Sequence, residues 1–144
     1  MVELKEILEN WEKDCQIQED KLDLESLNIP KLHHKYLKLL SEERLNFKKI
    51  ELNKRKKAQD LWIYYSGKSP ASVYKEKPLP GDLISNTKIK DYIETNEDYM
   101  KLTYYGDAIS EKIDVLVEIL KEINNRAFKI KNAIEWQKFI NGTN

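Results

Sequence analysis

The stretch that decides the fold is residues 31–65, KLHHKYLKLLSEERLNFKKIELNKRKKAQDLWIYY, which contain neither glycine nor proline. At about 100° per residue, most of their apolar side chains point within about 60° of one direction. This spacing predicts one amphipathic helix, roughly 50 Å long at ~1.5 Å rise per residue. Its apolar seam comprises Leu32, Tyr36, Leu39, Leu40, Phe47, Ile50, Ala58, Leu61 and Tyr65.

The same helix has a second apolar stripe and clear end signals. Leu45, Leu52 and Ile63 point away from the main seam, which indicates packing on two sides. Pro30 suits the first turn of the helix. Gly67 predicts its end, because glycine readily adopts the left-handed conformation of a C-terminal cap.

Residues 96–144 have the most regular periodicity in the chain. Residues 95–98, TNED, predict a helix start because they supply capping side chains and acids for the first turn. Apolar residues then recur at alternating steps of four and three, the heptad pattern of a coiled coil or helix bundle. The predicted oligomerisation seam comprises Ile109, Ile113, Leu116, Leu120, Ile123, Ala127, Ile130 and Ile134.

Length and composition favour an all-α fold. The 144 residues fit one domain, 35% of them are charged, and only four glycines and four prolines are present. We predict a single helical domain over residues 1–144, with an acidic N-terminal helix and the long basic helix in 1–66. A proline- and glycine-containing loop is expected in 67–95 and C-terminal oligomerisation helices in 96–144. Long helices in so short a chain usually bury their apolar stripes by pairing, often between subunits, which favours a homo-oligomer.

Charge is unevenly distributed, although the net charge is zero. Residues 1–27 contain nine acidic residues against three lysines, whereas residues 44–57 contain seven basic residues against Glu51 alone. The four consecutive cations at 54–57 repel one another unless an anion offsets them. Three interpretations remain open for this run: a nucleic-acid partner, the acidic N-terminal segment of another subunit, or a solvated helical face.

The angular positions of these cations favour a single nucleic-acid strand. Arg44, Lys48 and Arg55 form a row that ends at Trp62, so cations could meet phosphates while the indole stacks on a base. Lys49 and Lys56 point further round the helix. The candidate DNA-binding residues are Arg44, Lys48, Lys49, Lys54, Arg55, Lys56, Lys57, Trp62, Tyr64 and Lys68.

Two of these cations point differently. Lys54 lies along the apolar seam and Lys57 flanks it. In an assembly they could line a channel or pair with acids such as Glu43.

No constellation in the sequence supports an enzyme. The Gly-Lys-Ser at 67–69 resembles the end of a P-loop, but Trp62 stands where that motif requires its first glycine. His33 and His34 are adjacent on a helix and therefore cannot jointly bind one metal. Cys15, the only cysteine, lies on an apolar stripe and is expected in the core. We predict no catalytic residue, metal or cofactor, and no membrane partner because no apolar run approaches ~20 residues.

Three stretches carry a family resemblance: NIPKLHHKYL at 28–37, YYSG at 64–67 and RAFKIK at 126–131. With them, nearly the whole chain resembles the UvsY family of recombination mediators from T4-like bacteriophages. The resemblance implies a non-enzymatic ring of six or seven subunits that binds single-stranded DNA in the cytoplasm of the host bacterium. Such mediators help load the phage recombinase onto DNA occupied by the single-strand-binding protein, and contact both proteins.

The resemblance also implies where these activities lie. Assembly is expected through the C-terminal region and DNA binding through basic residues before Tyr-Tyr-Ser-Gly. Here residues 59–61, Gln-Asp-Leu, stand where basic residues are expected, and the cations lie about a turn earlier, at 54–57. The alternative function is a structural coiled-coil assembly factor whose basic helix docks an acidic protein partner.

Overall fold

The computed structural model describes residues 1–81 and 84–142, and within these residues it contains α-helices and no β-strand. The all-α prediction is therefore confirmed. The described helices are α1 (Leu4–Asp14), α2 (Leu22–Leu27), α3 (Ile29–Tyr65), α4 (Ala71–Glu76), α5 (Asn86–Glu94), α6 (Glu97–Asn124) and α7 (Arg126–Ile140).

The ends of the long helix follow the predicted signals. α3 has Pro30 in its first turn and ends at Tyr65. Gly67 adopts φ +78°, its amide donates to the Tyr64 carbonyl at 3.2 Å, and the Lys68 amide donates to the Ile63 carbonyl at 3.1 Å. These two bonds form a Schellman cap, which requires a left-handed residue at position 67.

The start of α6 also lies at its predicted place. The Asn96 side chain accepts a hydrogen bond from the Tyr99 amide at 3.1 Å, and Glu97 and Asp98 occupy the first turn. The side chain satisfies an otherwise unpaired amide, and the acids complement the positive end of the helix dipole.

The segment 67–95, predicted as a loop, contains α4 and α5. The Tyr74 hydroxyl donates to the Tyr64 carbonyl at 2.7 Å and accepts from the Ser69 amide at 3.0 Å. The Tyr64 and Tyr74 rings stack with centroids 5.5 Å apart. Contacts between residues this distant in sequence leave no local periodicity, which is why the pattern missed them. Residues 82, 83, 143 and 144 of the predicted loop and tail lie outside the described residues, and the single-domain division stays a prediction.

The chain forms two compact units, and the first comprises Met1–Arg44 with the described residues of Ser110–Asn144. Trp11 and Tyr36 meet edge to face in this unit, with ring centroids 5.5 Å apart. Burial of each large apolar side chain contributes about 1.5–3 kcal/mol, so the buried core of this unit provides its main stabilisation. The buried core consists of Ile7 from α1, Tyr36 and Leu40 from α3, and Leu116, Ile119, Leu120 and Ile123 from α6.

The predicted heptad seam lies mainly inside the chain's own packing. Leu116, Leu120, Ile123 and Ile130 are buried in the first unit. Of the other seam residues, Ile109 is buried in the second unit, Ile113 and Ile134 are partly buried, and Ala127 is exposed. The role of the seam in oligomerisation stays a prediction.

Asn125 alone separates α6 from α7. Its φ of −84° and ψ of −7° remain near helical values, and its carbonyl accepts from the Lys129 amide at 3.2 Å. The periodic pattern predicted the helical region but gave no sign of this one-residue interruption.

Arg126, the first residue of α7, joins three parts of the first unit. Its guanidinium is buried and donates to the carbonyls of Asp14, Cys15 and Gln16 at 3.1, 3.3 and 3.0 Å, and to the Glu25 carboxylate at 2.7 Å. A cation is favourable there because the end of α1 leaves carbonyls without helical partners. Cys15 itself is exposed, so its predicted place in the core was wrong.

The second unit spans Leu45–Ile109 and contains the second half of α3 with α4, α5 and the start of α6. Gly106 of α6 lies against α3: a Cβ there would lie 3.4 Å from Ile50 Cγ2, which is an ordinary packing distance. The Tyr65 ring stacks on Tyr92 of α5 at 5.0 Å. Burial, together with the neighbouring Tyr64 and Tyr92, raises the pKa of Tyr65.

Candidate nucleic-acid interface

One side of α3 in the second unit presents cations to solvent. Ile50, on the opposite side of the helix, faces Gly106 of α6. The cations that point away from α6 are exposed. We name these exposed cations the basic face: Lys48, Lys49, Arg55 and Lys56. None of them forms an ion pair within the described part of the chain. Arg44, the last α3 residue of the first unit, is exposed in the same way.

Lys54 and Lys57 have different surroundings from the basic face. Lys54 Nζ lies 3.9 Å from the Glu51 carboxylate and 5.4 Å from the ring centroid of Tyr99. Lys57 Nζ lies 3.4 Å from the Asp98 carboxylate. Both ammonium groups are partly buried, so these lysines hold α3 to α6.

Glu43 was suggested as an acid for those two lysines, and this suggestion was wrong. Its carboxylate Oε2 lies 3.0 Å from Lys112 Nζ, and the two side chains are 4% and 7% exposed. Oε2 has this ion pair but no hydrogen bond from the described residues. Lys112 Nζ instead donates to the Val2 carbonyl at 3.1 Å.

The aromatic candidates also separate into two situations. Trp62 is 39% exposed, and Lys68 Nζ lies 4.6 Å from its ring centroid in a cation–π contact. The Tyr64 hydroxyl donates to the carbonyls of Lys77 and Pro78, at 2.7 and 3.2 Å. Trp62 therefore keeps accessible surface beside a cation, whereas Tyr64 secures the chain after α4.

Charged residues that the sequence reasoning missed stabilise the first unit. Lys112 falls three residues after Ile109 and four before Leu116, so it lies on the same side of the helix as the apolar seam. A charged residue at such a position indicates a buried ion pair, and this was the signal in the sequence that could have revealed it. Lys35 and Tyr36 donate to the Asp14 carboxylate at 2.6 and 2.8 Å. Burial alone would raise the pKa of Asp14, but these hydrogen bonds and the Lys35 charge outweigh it and lower that pKa below its ordinary value.

The side-chain clusters and the helix composition of the described residues bear on metal binding and membrane insertion. No group of three or more His, Cys, Asp or Glu side chains among them is placed to hold a metal ion. None of their helices is long and apolar enough to cross a membrane.

An exposed set of unpaired cations beside an accessible indole, on a helical scaffold, is typical of proteins that bind a nucleic-acid strand through its phosphates and bases. The sequence makes this class specific, because residues 10–143 match the family described as "Recombination, repair and ssDNA binding protein UvsY". The chain belongs to the UvsY family. The family resemblance predicted from residues 28–37, 64–67 and 126–131 is thereby confirmed.

Solved structures agree with this fold. The chain is similar to the bacteriophage T4 recombination mediator protein UvsY in one crystal lattice, with a TM-score of 0.84 at 23% identity over 96% of this chain and 98% of that one. In a second lattice the TM-score is 0.80 at 22% identity, over the same shares of both chains. At these identities the likeness shows the fold alone. Among curated proteins, no sequence matches significantly.

Proposed function

We propose that this chain is a recombination mediator that binds single-stranded DNA through the basic face and Trp62. The observation that supports it is a contrast in ion pairing. Four cations form ion pairs with acids of the same chain: Lys54, Lys57, Lys112 and Arg126. The four cations of the basic face form no ion pair with the described residues. Phosphates would supply the missing anions, and the Trp62 indole would stack on a base next to Lys68. Arg44, in the first unit, is proposed as a phosphate contact in its own right.

The mediator activity itself is the finer part of the proposal. In the cytoplasm of the host bacterium, the chain would help a phage recombinase assemble on DNA that the single-strand-binding protein occupies. Lys54, Lys57 and Tyr64 would contribute mainly by holding the helices and the segment after α4 in place, since their polar atoms already have partners.

The proposal includes a homo-oligomer, a ring of six or seven subunits by the resemblance. Because most of the heptad seam is buried within the chain, other apolar surface is needed between copies. Residues of α7 offer it: Phe128, Trp136, Phe139 and Ile140 are exposed, and the Trp136 and Phe139 rings stack at 5.6 Å. Repetition around a ring would add the basic faces of several copies into one binding surface.

The DNA-binding proposal is tested by a matched pair of charge reversals on α3. Lys48→Glu/Arg55→Glu changes two cations of the basic face that are seven residues apart. Lys31→Glu/Lys38→Glu makes the same change, with the same spacing, at exposed lysines in the first unit. By fluorescence anisotropy with labelled oligo-dT, the first variant should bind about tenfold or more weakly, and the second close to wild type.

Salt provides an independent measurement. If each cation of the basic face meets one phosphate, affinity should fall with salt at a log–log slope of about −3 per protomer, because each single-strand contact contributes ~0.7. An affinity that barely changes from low to moderate salt, or a Lys48→Glu/Arg55→Glu variant that binds normally, would contradict the proposal.

Two further experiments test the finer claims. Recombinase assembly on DNA coated with single-strand-binding protein should be faster with wild type than with Lys48→Glu/Arg55→Glu. Trp136→Ser/Phe139→Ser should give a smaller native mass by light scattering with unchanged helical content by circular dichroism. An unchanged mass would exclude α7 as the assembly surface.

A further inference from the structure

Two leucines on α3 are exposed in the middle of the charged region. Leu45 and Leu52 have exposed fractions of 59% and 62% in the second unit. They are seven residues apart, so they lie almost in line along one side of the helix. We call this pair the leucine stripe. Single exposed leucines are common, but an aligned pair on one helix forms a continuous apolar surface.

Cations border the leucine stripe in a repeated arrangement. Lys48 and Lys49 follow Leu45 by three and four residues, and Arg55 and Lys56 follow Leu52 by the same steps. Residues three and four positions along a helix lie on either side of the line through the first residue. Each leucine is therefore followed, about one turn later, by a pair of cations that straddles the stripe.

The opposite side of this part of α3 already has its partner. Ile50 faces Gly106, Lys54 lies over the ring of Tyr99, and Lys57 pairs with Asp98. The leucine stripe lies on the other side of the helix, and more than half of each leucine is exposed. Its apolar surface is thus available to a partner.

A single DNA strand accounts for the cations but not for the leucines. The bases of a single strand stack chiefly on flat aromatic rings or guanidinium planes, and a leucine side chain offers neither. A symmetric contact with the same stripe of a second copy would set two pairs of cations against two others, which repel. The complementary surface is a helix with apolar residues every seventh position and acids beside them.

We propose that the leucine stripe and the basic face together form a docking site for an acidic amphipathic helix of a partner protein. The leucines contact the apolar stripe of that helix, and each pair of cations binds its acids. Because the same cations serve the proposed DNA contact, the partner helix and single-stranded DNA exclude one another. This exclusion alone rests on the proposed function. The docking site stands without it.

The test uses a synthetic three-heptad peptide with leucine at every seventh position, glutamate three and four residues after each leucine, and alanine elsewhere. A control peptide has the same composition with the leucines distributed around the helix. Binding to the full chain is measured by anisotropy of the labelled peptide. The patterned peptide should bind at least tenfold more tightly than the control, and unlabelled oligo-dT should displace it.

Protein variants then separate the leucines from the cations. Leu45→Gln/Leu52→Gln should weaken peptide binding at least tenfold and leave oligo-dT affinity within twofold of wild type. Leu24→Gln/Leu27→Gln, at exposed leucines of the first unit, is the matched control and should bind both ligands as wild type does. Lys48→Glu/Arg55→Glu should lose both ligands.

Three results would overturn the docking site. Equal binding of both peptides would reduce the effect to charge, and normal peptide binding by Leu45→Gln/Leu52→Gln would exclude the leucines. A lower native mass for that variant would make the stripe a contact between copies. If the patterned peptide binds and oligo-dT does not, the docking site is supported, whereas the proposed DNA function and the exclusion both fail.

Discussion

Lys112 in the first unit and Arg55 in the second are both cations on long helices, and their surroundings are opposite. Lys112 is buried, lies 3.0 Å from Glu43 Oε2 and donates to the Val2 carbonyl. Arg55 is exposed, and no described ion pair includes it. The difference separates charges that maintain the fold from charges available to a ligand. Substitutions of the first kind should change stability, and those of the second should change binding.

The largest effect is expected at the buried pair. Lys112→Met leaves the Glu43 carboxylate buried without a counter-charge, which should lower the free energy of unfolding by about 3–5 kcal/mol. Urea denaturation followed by circular dichroism measures it. Lys121→Met removes an exposed pair with Glu118 and should change stability by less than about 1 kcal/mol. Equal losses in the two variants would contradict the assigned role of burial.

A smaller effect, on binding, is expected at Trp62. Trp62→Ala should weaken oligo-dT binding by roughly 1–3 kcal/mol through loss of base stacking. Tyr104→Ala is the control, because Tyr104 is an exposed aromatic of the same unit, on α6 and outside the basic face. Anisotropy titrations at one salt concentration compare them, and similar losses would show that Trp62 has no special part.

Acid should affect the first unit through Asp14. Because its folded pKa is lowered, the carboxylate stabilises the fold above the ordinary pKa of 3.8, and this contribution is lost as pH falls through the lowered value. Asp14→Asn should therefore melt below wild type at neutral pH, and the difference should shrink in acid. Thermal melts over a pH series test this, and a constant difference would refute it.

The smallest effect is expected at Gly106. A Cβ there would lie 3.4 Å from Ile50 Cγ2 and 3.7 Å from Glu51 Oε1, which is ordinary contact. Gly106→Ala should raise stability by no more than about 1 kcal/mol, because alanine favours the helix interior, and leave oligo-dT affinity unchanged. Gly106→Leu, which overfills the contact, should lower stability. A destabilised Gly106→Ala variant would mean that the packing of α3 against α6 cannot accommodate an added methyl group.

Local signals in the sequence predicted the helices and several of their ends. The apolar seam of residues 31–65, Gly67 and Asn96 act within a few residues, so their consequences are visible in the pattern. The direction of Lys54 and Lys57 followed from the same helical projection. Their partners Glu51, Tyr99 and Asp98 could not all be found, because two of them lie on another helix.

Long-range packing set the remainder. The tyrosine contacts that order α4 depend on Tyr64 and Tyr74, ten residues apart, and no periodicity connects them. A heptad seam indicates a buried side but not whose helix buries it, and here Leu116 and Ile123 pack within their own chain. The basic face was recognisable from charge and angle, whereas the lack of partners around it became visible only in the structure.

The four hydrogen bonds of Arg126 also have a consequence for synthesis on the ribosome. Arg126 donates to the carbonyls of residues 14–16 and to the Glu25 carboxylate, and it follows all of them by more than a hundred positions in the chain. During translation α1 and α2 therefore leave the ribosome long before Arg126, whose hydrogen bonds hold the end of α1 and Glu25 of α2 in place. Pausing of synthesis upstream of Arg126 should leave the acidic N-terminal segment sensitive to protease, and release of α7 should protect it.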